Sequence, residues 1–476
     1  MSIRNKLLLS YAQQYTSMFL QFISMVVIAR LMLPEEVGIF ATGAAIVAFG
    51  GVLVELGQLD YLVKKDVVDA QHRRTALGIA LVSSWSSGLL IILGSTLFVP
   101  ADQVLLGQVI VVLAISSMLA PLSMLLRANL LREMQFQTLY LINVSKDCAL
   151  VFGSILFVYL GYSALGLAIG LLLEQLVLVA VALVHHQRHG WVLPSLRKAH
   201  DLLGFGILNT AMNGLSTIGQ SVSRLTIGGL LGYAGLGLLN RAQKVTKISN
   251  ELLLKGLLPV LLPYLSKTVR EGGNLQYAYT HKLAFISGLS WPFFLYMAIA
   301  AEPIVLTLLG DQWTAAIPVI RVLCLSGIFL PFSFGAYKFL VVLDLLRAFL
   351  PLQLGIQLIT IAFAMLGSLH SLEAACLAFV VASSLKGLVS LWLIRQSVEL
   401  RLLTLIRPFV TSALMTLFTG LFTWLAMMPE LHPIVRFIWV SGVFGLAWLA
   451  AVYLFRHPIA QEISRAFGYL QARLSA

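Results

Sequence analysis

The feature that constrains this chain most is a series of apolar runs, each about 20 residues long, that recurs from one end to the other. A helix of that length spans the ~30 Å hydrocarbon core of a bilayer. The runs fall roughly at 11–32, 39–61, 75–99, 104–126, 139–160, 164–184, 202–231, 237–262, 283–301, 317–337, 348–368, 373–394, 408–428 and 435–455. Composition agrees: 59% of residues are hydrophobic and 11% charged, against ~45–50% and ~25% in soluble domains. No soluble domain fits between the runs. The expected fold is an all-α polytopic membrane protein with about fourteen transmembrane helices.

A net charge of +12 would suggest nucleic acid in a soluble protein, but here the sidedness of loop bases is the better account, and no nucleic-acid partner is expected. Alternate connections hold Arg4, Lys6, Lys64, Arg73, Arg74, Arg127, Arg132, Arg188, Arg197, Lys267, Lys282, Arg347, Arg395, Arg401 and Arg473. The intervening loops Leu33–Gly38, Pro100–Gln103, Gly161–Ser163 and Met428–Ile434 hold none. Both termini are therefore expected in the cytoplasm, and the opening MSIRNK reads as a retained first helix. The longest outer loop, Glu302–Ala316, carries Trp313, which suits a membrane interface. The inner stretch Pro263–Lys282 contains Gly272-Gly273 and reads as a flexible connector.

Bases inside or near the ends of runs need another explanation. Asn240–Gly256, NRAQKVTKISNELLLKG, carries Arg241, Lys244, Lys247, Glu251 and Lys255 within an arc of one helix face. A base facing lipid costs roughly 2.5–3.5 kcal/mol on insertion scales, so this stripe faces either a wet cavity or an anionic partner, or else snorkels to an interface. With Arg224 on the preceding run, these bases form a candidate cationic path. Such a path favours a phosphate or pyrophosphate head group.

Acids within the runs are Glu55, Asp147, Glu174 and Glu251. Glu55 is either a proton or sodium site or the partner of a buried base such as Arg30 or Arg224. Asp147 follows Lys146 directly, and sequence neighbours do not share a helix face, so Asp147 is expected to pair with another helix. Arg30, Glu55, Lys146, Asp147, Glu174 and Glu251 thus form the set assigned to ion coupling or charge pairing.

No catalytic residue, metal site or cofactor is expected. Every histidine lies in a loop or at a run end, which argues against a buried histidine proton relay. No G-x-x-x-x-G-K-[ST] motif is present, and no long outer loop carries polar catalytic residues. Cys148, Cys324 and Cys376 all lie in apolar runs and read as small hydrophobes. A shift of 199 residues lays Gln21 on Gln220, Gly38 on Gly237 and Leu53 on Leu252, a weak internal repeat of two six-helix halves that are parallel in the membrane. The expected organisation is a six-helix lobe at 1–200, a second at 201–400, and two further helices with a tail at 401–476.

Several segments, taken together and in order, resemble the Wzx-type polysaccharide transporters, lipid-linked oligosaccharide flippases of the multidrug/oligosaccharidyl-lipid/polysaccharide exporter superfamily. They are IARLMLPEEVGIFA (28–41), LLRANLLREMQFQ (125–137), GGLLGYAGLGLLNRAQK (228–244), LLPYLSK (261–267) and LLGDQWTAA (308–316). The resemblance implies two six-helix lobes with two extra C-terminal helices and alternating access to a central cavity. It also implies a polyprenyl-pyrophosphate-linked oligosaccharide as cargo, moved across a bacterial inner membrane for exopolysaccharide or O-antigen assembly. A polysaccharide polymerase and other assembly proteins are candidate partners. A peptidoglycan-precursor flippase and a cationic multidrug exporter on the same fold are the alternatives, although an exporter of cations would want a cavity dominated by carboxylates.

Overall fold

The computed structural model describes residues 3–461 and 464, except 53, 55, 56, 65–67, 190–192, 198, 254–273 and 399–402. The described residues are helical or in turns, with no strand among them. Among the described residues nine helices are long and apolar enough to cross a membrane, with a tenth if a helix pair bent by 56°, Ala316–Ile328 and Leu330–Val342, counts as one span. The bend falls beside Pro331, where the missing N–H interrupts the helical ladder. The chain divides into two compact units, Met1–Asn240 and Arg241–Ala476.

In the first unit the order is α1 (Ile3–Leu31), α2 (Pro34–Gly51), α3 (Gln58–Lys64), α4 (Ala70–Phe98), α5 (Val104–Arg132), α6 (Phe136–Phe157), α7 (Ser163–His189) and the greater part of α8 (Ala199–Leu253). Local chemistry sets several starts. Pro34 opens α2, with Glu35 and Glu36 in its first turn, and Glu36 accepts from the Leu33 N–H at 2.7 Å. Asp69 caps α4 by accepting from the His72 N–H at 2.7 Å.

Two long apolar elements fold back on themselves at left-handed glycines. Gly161 (φ 90°) separates α6 from α7, which pack along each other. Gly232 (φ 76°) breaks α8. In a straight helix residues 228 and 236 would stand ~12 Å apart. Instead, a Cβ on Gly228 would lie 3.1 Å from the Leu236 side chain, so the two arms of α8 reverse at Gly232.

That turn meets the turn between α1 and α2 reciprocally. A Cβ on Gly38 would fall 1.7 Å from the Tyr233 carbonyl oxygen, and a Cβ on Gly237 would fall 1.8 Å from the Pro34 carbonyl oxygen. The 199-residue shift exchanges these two contacts, because it carries Pro34 onto Tyr233 and Gly38 onto Gly237. The repeat register read from the sequence is thus visible in the backbone at this point. The Tyr233 hydroxyl donates to Gln103 at 2.6 Å, which places the base-free loop before α5 at the same end.

At the opposite end of α4, the Ser195 N–H donates to the Arg74 carbonyl at 3.0 Å, Thr75 donates to the Arg197 carbonyl, and Arg132 donates to the Leu62 carbonyl at 2.7 Å. The base-bearing connections of this unit therefore gather at one end and the base-free ones at the other. Buried Tyr61, Leu62, Ala76, Leu77, Leu125 and Leu202 pack beneath the basic end.

The second unit holds the end of α8, α9 (Leu275–Ile299), α10 (Ala301–Ile304), α11 (Ala316–Cys324), α12 (Leu330–Ser333), α13 (Ala336–Val342), α14 (Leu346–Ser368), α15 (Leu372–Val398), α16 (Leu403–Ala426) and α17 (Pro433–Leu454). α14 packs along α15, and α9 along α16, which also meets α17. The segment read as an outer loop, Glu302–Ala316, is folded instead. A π turn (Val305–Leu309) and a 3-10 turn (Asp311–Trp313) follow α10 and bury Val305, Leu309 and Trp313 completely. Trp313 is therefore not an interfacial anchor. Most of the expected connector Pro263–Lys282 lies outside the described residues, but its last part, from Leu275, belongs to α9, whose start Asn274 caps by accepting from the Tyr277 N–H at 2.9 Å. The three cysteines are unpaired, with Cys324 and Cys376 buried as expected.

Candidate cation row and buried charge clusters

In the second arm of α8 the bases at 241, 244 and 247 differ sharply in environment. Arg241 is 1% exposed, whereas Lys244 and Lys247 are exposed. A step of three residues falls about 60° short of a full helical turn. The row therefore winds from the interior of the second unit onto its surface within two steps. The Arg241 guanidinium stands over the Trp313 ring at 5.3 Å, a cation–π contact supplied by the folded segment before α11. Its Nε is buried without a hydrogen-bond partner. Lys255 lies outside the described residues, as does the side chain of Glu251.

The same unit contains a cation that the sequence reading placed in a loop. Lys282 lies in α9 and is only 8% exposed. Its Nζ sits 4.7 Å from the Tyr279 ring and 5.6 Å from the Phe339 ring, and those rings meet edge to face at 4.9 Å. Both the Lys282 Nζ and the Tyr279 hydroxyl are buried without hydrogen bonds. Among the described residues Arg241, Lys244 and Lys282 have no carboxylate within ion-pair distance. A helix starting at 275 would have signalled the burial of Lys282, since Tyr279 and Lys282 then share a face. Arg436, another base inside a run, is accounted for by Glu302 at 3.8 Å and the Met427 carbonyl at 2.6 Å.

The first unit handles its buried charge differently. On α6, the Lys146 Nζ bonds Asp147 Oδ1 at 3.0 Å and also Glu174 on α7. Asp147 is 3% exposed. The expectation that Asp147 pairs with another helix is corrected here. The four-carbon lysine stem reaches back to its neighbour while the ammonium crosses to α7, so a shared face was not required. Arg224, in the first arm of α8, is half-buried, and Arg30, in the last turn of α1, is exposed. Glu55 lies outside the described residues.

One histidine departs from the loop-only reading. His457 follows α17 in a loop yet is 1% exposed, because the turn at Arg456 (φ 48°) folds it back between α9 and α16. Its Nδ1 accepts from the Ile459 N–H at 3.3 Å, so Nε2 carries the proton and donates to Ser412 Oγ at 3.2 Å. Ser412 in turn meets Ser287 Oγ at 2.8 Å. Burial, reinforced by nearby His281, pushes His457 down to about 4. Among the described residues no group of histidine, cysteine and carboxylate side chains could hold a metal ion.

The geometry therefore offers exposed ammonium groups on an apolar helix, a cation row suited to anions. The polysaccharide biosynthesis protein family matches residues 27–318. The succinoglycan biosynthesis transport protein ExoT of Rhizobium meliloti (strain 1021) is 24% identical over 322 residues, covering 66% of this chain and 64% of that protein. The chain thus spans under two-thirds of that relative's length. The lipopolysaccharide biosynthesis protein WzxC of Escherichia coli (strain K12) is 21% identical, covering 94% of this chain and 93% of that one. Among solved structures, the lipid II flippase MurJ in an inward closed conformation superposes with a TM-score of 0.76 at 13% identity, over 95% of this chain and 99% of that one. That likeness shows the fold alone, as does that to an inward-facing multidrug-resistance transporter of the MATE family, with a TM-score of 0.65 at 15% identity over 80% of this chain and 94% of that one. The chain is a multi-pass helical membrane protein and belongs to the polysaccharide biosynthesis protein family.

Proposed function

We propose that the chain is a flippase that carries a polyprenyl-pyrophosphate-linked oligosaccharide across the bacterial inner (cytoplasmic) membrane by alternating access, for exopolysaccharide or O-antigen assembly. One observation carries the reading: Lys244 and Lys247 are exposed on an apolar helix beyond a buried Arg241, in a chain of this family. Exposed ammonium groups on a membrane helix are stable where water or an anion meets them, and a pyrophosphate accepts charge-assisted hydrogen bonds from several bases at once. Arg224, Arg241, Lys244, Lys247 and Lys255 are assigned to the head group. Arg30, Glu55, Lys146, Asp147, Glu174 and Glu251 are assigned to charge pairing or ion coupling. No covalent bond changes in this reading.

The topology proposed with it has fourteen crossings, in six-helix lobes at 1–200 and 201–400 and two more helices after 401, with both termini cytoplasmic. The gathering of Arg74, Arg132 and Arg197 at one end of the first unit supports that orientation. A polysaccharide polymerase is the partner expected to receive the product.

The test is export of polymer in a strain lacking the native gene, with membrane abundance checked by immunoblot. Lys244→Ala should lower export several-fold, and Lys244→Glu should lower it at least tenfold, because it adds repulsion to the loss of attraction. Normal export by Lys244→Glu at normal abundance would overturn the reading.

A further inference from the structure

In the second unit the start of the cation row, RAQK (241–244), meets the turn GDQW (310–313) through Arg241 and Trp313. Backbone bonds fix the ring. Gly310 (φ 104°) reverses the chain in a conformation that a Cβ would oppose. The Gly310 N–H donates to the Val305 carbonyl at 2.9 Å, the Trp313 N–H to the Gly310 carbonyl at 3.1 Å, and the Thr314 N–H to the Asp311 carbonyl at 3.1 Å. Trp313 is fully buried. The cation that it covers has unused donors. Arg241 Nε is buried without a hydrogen-bond partner, and among the described residues no carboxylate lies within ion-pair distance of the guanidinium. Glu251, the next acid along this arm, stands ~15 Å further along the helix.

A guanidinium presents two kinds of surface. Its N–H bonds lie in its plane and its faces carry none, so a ring over the cation takes up no donor. A carboxylate in the same place would occupy the donors and neutralise the charge. Lys244 follows Arg241 by three residues, which makes the two cations neighbours on the helix surface, where like charges repel. An oxyanion that bonds both relieves that repulsion and supplies the acceptors that the protein does not. The same unit repeats the arrangement at Lys282, whose Nζ stands near the Tyr279 and Phe339 rings without a hydrogen bond.

We propose that Trp313 is a positioning residue for the head group. It holds Arg241 in one orientation at the start of the row, charged but not neutralised, so that its donors and the Lys244 ammonium engage a pyrophosphate together. The inference rests on the flippase reading above and names the residue that preorganises its anion site. Without the ring the guanidinium would turn to other orientations. The fraction of molecules ready to bind would fall, and the apparent affinity with it.

The experiment measures binding of inorganic pyrophosphate to the full chain in lipid nanodiscs, with Trp313 replaced by tryptophans of rising fluorination through amber suppression. Fluorine weakens the ring quadrupole while nearly keeping the ring's shape, so a residue that serves packing alone would leave the affinity level. Affinity should instead fall stepwise along the series, by roughly tenfold in all, at an almost constant melting temperature. Trp313→Phe, which keeps an aromatic face, should fall within the series. Arg241→Gln, which retains Lys244 and Lys247, should bind several-fold more weakly than wild type, and fluorination should then change nothing further. A level series in the presence of Arg241, or an equal slope without it, would overturn the proposal. Absence of pyrophosphate binding by the unmodified chain would overturn it together with the head-group assignment. Normal export by Lys244→Glu beside an intact series would overturn the flippase reading alone.

Discussion

The two units bury cations by opposite means. In the first, Lys146 is held between Asp147 and Glu174, so its charge is more than balanced within the protein. In the second, Arg241 and Lys282 lie against the faces of Trp313, Tyr279 and Phe339, with no carboxylate within ion-pair distance among the described residues. A balanced cluster is complete as it stands, and its natural role is to hold α6 against α7. Cations backed only by aromatic rings keep most of their field available, because the ring quadrupole offsets part of the lost hydration without neutralising the charge. In the proposed reading the first arrangement is structural, and the second leaves positive charge near the row that would meet an anion.

The strongest way to break this contrast is to remove the cation from the balanced cluster. Lys146→Met would leave Asp147 and Glu174 buried together without it. Breaking a buried ion pair from one side typically costs about 3–5 kcal/mol. The thermal midpoint in detergent should fall accordingly, and Lys146→Met with Asp147→Asn should recover part of the loss. A midpoint unchanged in the single variant would remove the structural role assigned to the cluster.

A second prediction concerns a buried titratable group that meets the problem in a third way, by staying neutral. His457 is lowered from the ordinary value of 6.5 to about 4, so the unfolded chain binds the proton more readily. Its contribution is therefore complete above pH ~6.5 and is lost as the pH falls toward 4, amounting to about 2 kcal/mol by pH 5. Thermal midpoints at pH 7.5 and 5.0 should differ more for the wild type than for His457→Gln. Equal pH sensitivity in the two would show that the Ser287–Ser412–His457 chain does not report on acid.

The smallest effect on stability is expected in the ring-backed cation. Lys282→Met keeps the length and apolar body of the side chain against the Tyr279 and Phe339 rings while removing a charge that has no carboxylate partner among the described residues, and such replacements are commonly neutral or stabilising. The midpoint should stay level or rise. A clear fall would mean that Lys282 holds the fold together, and the contrast between the units would lose one of its members.

The legible parts of this molecule follow from solvent and periodicity. Apolar runs of bilayer length dictate helices, and the gathering of Arg74, Arg132 and Arg197 at one end obeys the same charge asymmetry that a sequence displays directly. The 199-residue register could also be read, although only the meeting of Gly38 with Tyr233 and of Gly237 with Pro34 gives it spatial meaning. The candidate row was legible as a set of positions but not as a set of environments. Helical spacing predicts that residues 241, 244 and 247 fall within an arc of one helix face. It does not reveal that Trp313, some seventy positions later, folds back to cover the first of them. The Gly272-Gly273 pair marks a connector but not where it ends, which conceals the burial of Lys282, and a loop position does not by itself set the exposure of His457. In each case a tertiary contact decided burial, and nothing in the local pattern encodes it.

The reciprocal glycine contact has a consequence for ancestry. A contact that maps onto itself when its two sides are exchanged has the symmetry of an isologous dimer interface. Each turn presents both a carbonyl that intrudes and a glycine that yields, so two identical copies of such a turn would fit together as these two turns do here. The joining of such copies into one chain would make permanent a pairing that separate copies could already form. It would also leave positions 34 and 237, and 38 and 233, bound to change only in concert, because enlarging one side leaves the other nowhere to retreat.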